Sequence, residues 1–312
     1  MRIVALAGGV GSARLLSGLV RVVAPSDLAV VVNTGDDESV RGLHLSPDID
    51  TVLYHLAAIQ DWERGWGIGG DTFSGQERYA GLASRLQGVD AQEWLALGDR
   101  DLATKMLRTR LLDTGMSLSE ATDALRRSMG LDTTVIPMSD DRVRTVVGGY
   151  AFQEWFVRLR QEPPVGEVRY EGAAQASPAP GVVEAVEAAD LVLLPPSNPI
   201  LSLGPMLAMG PLRSALEGAR GVRVAVSPIV GGRALKGPAD RLMASLGHEV
   251  SPVGVARIYA GLVDVFVLDE RDAQTAPAVA ALGMRPVVCD TVMRSPEDAA
   301  RLAKTVVADA SS

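Results

Sequence analysis

Within its first twenty residues the chain changes hydrophobic period. Ile3–Ala7 is a continuous apolar run, as in a strand buried on both faces, and Leu15, Leu19 and Val22 then recur at helical spacing. Glycines at 8, 9 and 11 separate the two patterns, so the stretch predicts a strand, a tight glycine turn and a helix. Leu28–Val32 is a second β-branched run, and it opens into Asn33-Thr-Gly-Asp36-Asp37-Glu38. Ser46 and Pro47 then read as the cap and first residue of a helix whose apolar face is Ile49, Val52, Leu53 and Leu56.

From about residue 55 to 135 the long β-branched runs vanish and amphipathic helices are expected, among them 103–112 and 118–129. The second opens on Ser117-Leu-Ser-Glu120, a capping box. Strand-like runs return at 134–137 and 143–147, followed by the aromatic piece Phe152-Gln-Glu-Trp155-Phe156. A Pro- and Gly-containing stretch, 162–181, is expected to be a mobile connection. Strands at 191–194, 222–226, 265–268 and 286–289 alternate with helices, and the last helix starts after Ser295 at Pro296. The expected fold is α/β and Rossmann-like: one domain, 1–312, on a mostly parallel sheet, with 55–135 as a helical insertion forming the acceptor side of a cleft.

Composition narrows the function. Of 312 residues, 47% are hydrophobic and 22% charged, and no apolar run reaches the roughly 20 residues of a membrane-spanning helix. No secretory signal is visible at the start, so the cytoplasm is the expected location and no membrane partner is expected. The net charge of −8 comes without a basic cluster, which argues against nucleic acid as a partner. A single cysteine, Cys289, excludes an internal disulfide and reads as an inert strand residue. His44, His55 and His248 show no paired spacing, so any metal ligands should be carboxylates.

The candidate chemistry lies in the loops. Free N–H groups at the start of the first helix suit an anion such as a phosphate, although the sequence has neither the third glycine of a dinucleotide fingerprint, where Arg14 stands, nor the Gly-Lys-Ser/Thr ending of a phosphate loop. Asp36, Asp37, Asp48 and Asp50 crowd two loops next to it. One aspartate there is readily explained by the helix dipole, whereas four suit Mg²⁺, which takes one or two carboxylates together with substrate phosphates. Asp50 is expected at an exposed loop–helix junction. Trp62 and Trp66 are either packing or a platform for a flat ligand, and Leu97-Gly-Asp99-Arg100-Asp101 is either a surface turn or a holder for Arg100. Pro196-Ser197-Asn198-Pro199 and Val226-Ser227-Pro-Ile229 follow buried strands, where ligands gather in parallel sheets.

Together these loops resemble the 2-phospho-L-lactate transferase family of deazaflavin coenzyme F-420 biosynthesis. The resemblance is carried by Gly8-Gly-Val-Gly11 with Arg14, Val31-Val-Asn-Thr-Gly-Asp-Asp37, Ser46-Pro-Asp-Ile-Asp-Thr-Val-Leu-Tyr54, Leu97-Gly-Asp-Arg-Asp101, Met138-Ser-Asp-Asp141 and the two proline loops, with Asp264 to Asp272 extending it. It implies Mg²⁺-dependent transfer of a phospholactyl or phosphoenolpyruvyl group from a guanosine diphosphate-linked donor to the ribityl hydroxyl of a deazaflavin, releasing GMP. By the same resemblance Gly9, Gly11 and Ser12 would face the donor phosphates, and Ser197, Asn198 and Ser227 the rest of the nucleotide. Asp36 and Asp50 would bind the metal, with Asp48 as the alternative. Asp50 and Arg100 would meet the acceptor, and one of the aspartates would accept the proton. Asp50, Asp48 and Arg100 are thus the candidate catalytic residues, and a homodimer is the expected assembly. The chief rival is a nucleotide-sugar-binding regulatory protein of the related gluconeogenesis-factor type. It would share the glycine loop and residues 33–37 but would not require the Ser-Pro-Asp-Ile-Asp-Thr and Gly-Asp-Arg-Asp motifs.

Overall fold

A computed structural model describes residues 1–89 and 94–310; residues 90–93, inside the expected insertion, and 311–312 lie outside the described residues. The centre is a seven-stranded sheet of β1 (Ile3–Ala7), β2 (Leu28–Val32), β3 (Thr134–Pro137), β4 (Leu191–Leu194), β5 (Val222–Val226), β6 (Val265–Asp269) and β7 (Arg285–Cys289). Their spatial order is β7-β6-β5-β4-β1-β2-β3, and every pairing is parallel. The expected α/β, Rossmann-like class is therefore met, with a central sheet that is wholly parallel.

Apolar side chains on both faces of these strands explain the architecture. Val4 and Leu6 of β1 enter one core, while Ile3, Ala5 and Ala7 enter the other. The second core is closed by α1 (Gly9–Leu19), α2 (Pro47–Leu56) and the C-terminal helix Pro296–Ala310. Leu15, Leu16 and Leu19 of α1 are fully buried there, worth about 2 kcal/mol each. Helix α1 lies so close to the C-terminal helix that a Cβ on Gly18 would come 2.3 Å from the backbone of Ala299.

Between α2 and β3 come α3 (Ser74–Ala83), α4 (Asp99–Asp113) and α5 (Leu118–Ser128). The expected capping box at Ser117 and Glu120 is present. Helix α4 reverses the expected amphipathicity: its buried residues are Asp101, Thr104, Lys105 and Arg108, while Met106 and Leu107 are exposed. The stretch 162–181 also departs from expectation. It carries a strand, Val168–Glu171, that pairs antiparallel with Arg144–Val147, and Tyr170 donates its hydroxyl to the Ile200 carbonyl at 2.6 Å. Buried Ala173, Ala176 and Ala179 fasten the remainder, so the segment is packed rather than a free connection.

Candidate functional site

The chain leaves β1 toward β2 on one side and β4 toward β5 on the other, so strand order reverses between β1 and β4, the point where open parallel sheets bind ligands. A cleft of about 1060 Å³ opens there. Its floor is the glycine loop after β1 and the loop after β4; Asp36, Asp48 and Asp50 stand along one wall, and Trp66, Trp94 and Leu97 along another.

Two glycines in the loop are required by local geometry. Gly9 has φ +75°, a left-handed conformation that suits glycine, and a Cβ on Gly11 would fall 2.3 Å from the Pro196 carbonyl oxygen. The loop's hydrogen bonding is partly internal. Gly9 N–H donates to Asp48 Oδ1 at 2.7 Å, and the fully buried Ser12 hydroxyl is directed at the Gly8 and Gly9 carbonyls, 2.8 Å from each. Gly9 and Gly11 line the cleft, whereas Ser12 stands behind it.

Asn33, at the end of β2, joins two acidic residues. Its amide donates to Asp48 Oδ2 at 2.9 Å and to Asp36 Oδ1 at 3.2 Å, while its own oxygen accepts from Gly35 N–H at 2.9 Å. Burial and then the charge of Asp48 push the Asp36 carboxyl well above the usual range, and burial also pushes Asp48 up. Two carboxylates so placed favour a shared proton or a cation. Asp37 points elsewhere, accepting from the Ser46 hydroxyl at 2.7 Å and facing His44 Nε2 at 3.1 Å. Ser46 is thus the residue before α2, as expected, but its side chain bonds Asp37 instead of capping the helix.

Asp50 is buried, 2% exposed, and not at an open junction as the sequence suggested. The reason is the polar face of α4: Arg108 grips both Asp50 oxygens, with Nη1 3.1 Å from Oδ2, and Lys105 Nζ lies 2.8 Å from Oδ2. Lys105 also pairs with Asp101, which accepts from Tyr54 OH at 2.7 Å. Burial alone would raise the Asp50 pKa, but Arg108 and Lys105 outweigh it and hold the carboxyl at about 2.

Ser197, Asn198 and Ser227 line the cleft. Asn198 Oδ1 accepts from the Ile200 and Leu201 N–H groups at 2.9 and 3.1 Å, and Ser227 Oγ accepts from Ile229 N–H at 3.1 Å, so both shape their turns. Among the described residues the buried Ser197 hydroxyl has no hydrogen-bond partner. Arg100 is exposed in the first turn of α4, donating to the Gly69 carbonyl at 3.3 Å, next to the cleft residues Leu97 and Asp101. The backbone of that turn is anchored by Asp71, which accepts from the N–H groups of Arg100 and Asp101 at 2.9 and 3.0 Å. Of the two tryptophans, Trp62 packs under Arg14, whose guanidinium lies 4.8 Å from its ring, and Trp66 lines the cleft.

Sequence reasoning did not single out Asn33, Lys105, Arg108 or Lys236. For α4 a signal existed, since 101, 104, 105 and 108 place four polar residues at i, i+3, i+4 and i+7 on one face. Lys236 carries no such mark, as only the fold brings it to the glycine loop.

A family model described as 2-phospho-L-lactate transferase CofD matches residues 3–309. The chain is 43% identical to a 2-phospho-L-lactate transferase of Methanopyrus kandleri, over 98% of this chain and 97% of the relative. It is 42% identical to a phosphoenolpyruvate transferase of Streptomyces coelicolor, over 94% and 92%. Among solved structures, a member of the UPF0052 family from Bacillus halodurans has the same fold, with a TM-score of 0.63 at 14% identity over 98% of each chain.

Proposed function

The chain belongs to the 2-phospho-L-lactate transferase CofD family, and from that premise we propose that it moves a phospholactyl or phosphoenolpyruvyl group from a guanosine diphosphate-linked donor to the ribityl hydroxyl of a deazaflavin, releasing GMP, in coenzyme F-420 biosynthesis. The observation that carries this reading is the pair of buried carboxylates, Asp36 and Asp48, tied by Asn33 and facing the glycine loop at the sheet's switch point.

In this reading the terminal hydroxyl attacks the distal phosphorus and gives up its proton to one of the cleft aspartates, a new phosphodiester bond forms, and the bond from that phosphorus to GMP breaks. Such a transfer asks mainly for positioning and charge neutralisation. Asp36 and Asp48 suit a Mg²⁺ ion, because they are buried carboxylates that repel one another and lack a cationic partner among the described residues. When bound, the ion would neutralise charge on the diphosphate. Asp50 fits this role less well than the sequence suggested, since Arg108 and Lys105 already satisfy it. Held in one orientation by those cations, it is suited to direct the acceptor hydroxyl. Trp66 and Arg100 flank the acceptor side, and Ser197, Asn198 and Ser227 the nucleotide side.

The test is mass spectrometry of purified protein with deazaflavin, Mg²⁺ and both guanylyl donors, beside a chelator-treated control. A metal-dependent phosphodiester product is expected, and its mass names the donor. Absence of product, together with tight binding of a nucleotide sugar, would replace the transferase by a regulatory binder.

A further inference from the structure

The glycine loop lacks the lysine that phosphate-binding loops of similar shape carry at their end. In the folded chain an ammonium stands above it nonetheless. Lys236 follows a hairpin of Ile229–Val230 and Arg233–Ala234, and its Nζ donates to the carbonyls of Glu63 and Arg64, each at 3.0 Å. A Cβ on Gly65 would lie 2.8 Å from Lys236 Nζ and 2.8 Å from Val10 Cγ1, so the ammonium and the glycine loop flank one point. Arg14, in α1, lines the same cleft and donates to the carbonyls of Trp62 at 2.6 Å and Met293 at 3.3 Å.

Among the described residues neither cation has a carboxylate within 4 Å. Lys236 is exposed at the cleft mouth; partial burial, and then the nearness of Arg14, lower its proton affinity, against an opposing pull from the Asp61 carboxylate. An ammonium has three donors, and the two carbonyls leave one for the cleft. The buried Ser197 hydroxyl, lining the same cleft, also has no partner among the described residues.

We propose that Lys236, with Arg14 beside it, is the counter-charge for a nucleoside diphosphate, supplying from the C-terminal half the lysine that the glycine loop lacks. The inference rests on the transferase reading for the identity of the anion. It requires no change in the protein's covalent chemistry.

Calorimetric titration of GDP into the wild-type protein, Lys236→Gln and Lys236→Arg tests it. Glutamine keeps a polar N–H donor but carries no charge. The expected result is at least tenfold weaker GDP binding by Lys236→Gln and near-wild-type binding by Lys236→Arg. Wild-type affinity in Lys236→Gln overturns the proposal in favour of a simple clip, and equal weakening in both variants overturns it in favour of side-chain shape. A wild-type protein that makes no phosphodiester product, yet binds GDP in this Lys236-dependent way, would refute the transferase reading while leaving the anion site standing.

Discussion

Arg108, with no surface exposed to solvent, holds both carboxylate oxygens of Asp50. The two residues come from different parts of the chain, Asp50 from the first turn of α2 and Arg108 from the middle of α4. Their pairing fastens α4 to α2 at the wall of the cleft that carries Asp50. It also explains how α4 can face inward with polar residues and outward with Met106 and Leu107.

Removing either partner should therefore be felt in stability. Arg108→Met leaves Asp50 with Lys105 alone, and Asp50→Ala leaves the buried Arg108 without its carboxylate and Lys105 with Asp101 alone. Breaking a buried pair from one side costs about 3–5 kcal/mol, whereas an exposed helix-start residue would cost less than about 0.5 kcal/mol. Urea unfolding of both variants should show losses in the larger range. A loss below about 1 kcal/mol for Asp50→Ala would restore the exposed-junction description.

Acid should act through His55. Burial is the main reason its pKa is lowered to about 4 from 6.5, and its Nδ1 lies 2.8 Å from the Thr51 carbonyl oxygen. Between those values the unfolded chain binds a proton that the folded chain refuses, so this residue's contribution to stability falls as pH drops from 6.5 toward 4. The shift corresponds to about 3 kcal/mol, of which part will be lost to relaxation. Asp36 and Asp48, with raised values, oppose this slope, so the comparison must be between proteins. Stability measured from pH 7 to 4.5 should fall more steeply in the wild type than in His55→Gln; parallel curves would show that His55 does not titrate in the fold.

Much of the sheet was legible because strands buried on both faces leave an unbroken apolar run. Ile3–Ala7, Leu28–Val32, Leu191–Leu194 and Val222–Val226 lie where their runs predict. The loops after Ala7, Val32, Leu194 and Val226 were legible for the same reason, and they do converge on one cleft, whereas residues 138–141 do not line it. What pattern could not supply was partnership. Asp50 looks exposed until Arg108 reaches it from 58 positions away, and apolar periodicity misorients α4 because this helix packs through ion pairs. The stretch 162–181 looked loose because alternation over Val168–Glu171 is short and flanked by turn residues, yet tertiary pairing holds it.

Two glycines separate packing from site geometry. A Cβ on Gly18 would strike the Ala299 backbone at 2.3 Å, and one on Gly11 the Pro196 carbonyl oxygen at 2.3 Å. Neither obstacle is a flexible side chain, so each alanine variant should lose about 1–3 kcal/mol, the usual range for overpacking. Their effects on donor use should differ. Gly18→Ala parts α1 from the C-terminal helix away from the cleft and should leave the donor KM within about twofold, the scale of a few tenths of a kcal/mol. Gly11→Ala pushes the glycine loop from the loop after β4 and should raise it well beyond that. Equal KM values in the two variants would show that the cleft does not depend on this contact.

Arg100 offers the cleanest separation of recognition from folding. It is exposed, and among the described residues its guanidinium makes one long hydrogen bond, to the Gly69 carbonyl at 3.3 Å. The backbone of its turn is held independently by Asp71. Truncation to alanine should therefore change unfolding free energy by less than about 0.5 kcal/mol. If the fork meets a carbonyl or phosphate of the acceptor, its loss removes a charge-assisted bond worth about 1.5–3 kcal/mol, which is roughly a ten- to hundredfold rise in the acceptor KM. The donor KM should stay unchanged, because Arg100 lies beside Leu97 and Asp101, away from the glycine loop. Lysine at this position should recover little of the loss, since a point charge cannot reproduce a planar fork. Steady-state kinetics with each substrate varied in turn decide the matter: an unchanged acceptor KM in Arg100→Ala would make this residue a surface turn and leave acceptor recognition to Trp66 and Asp50.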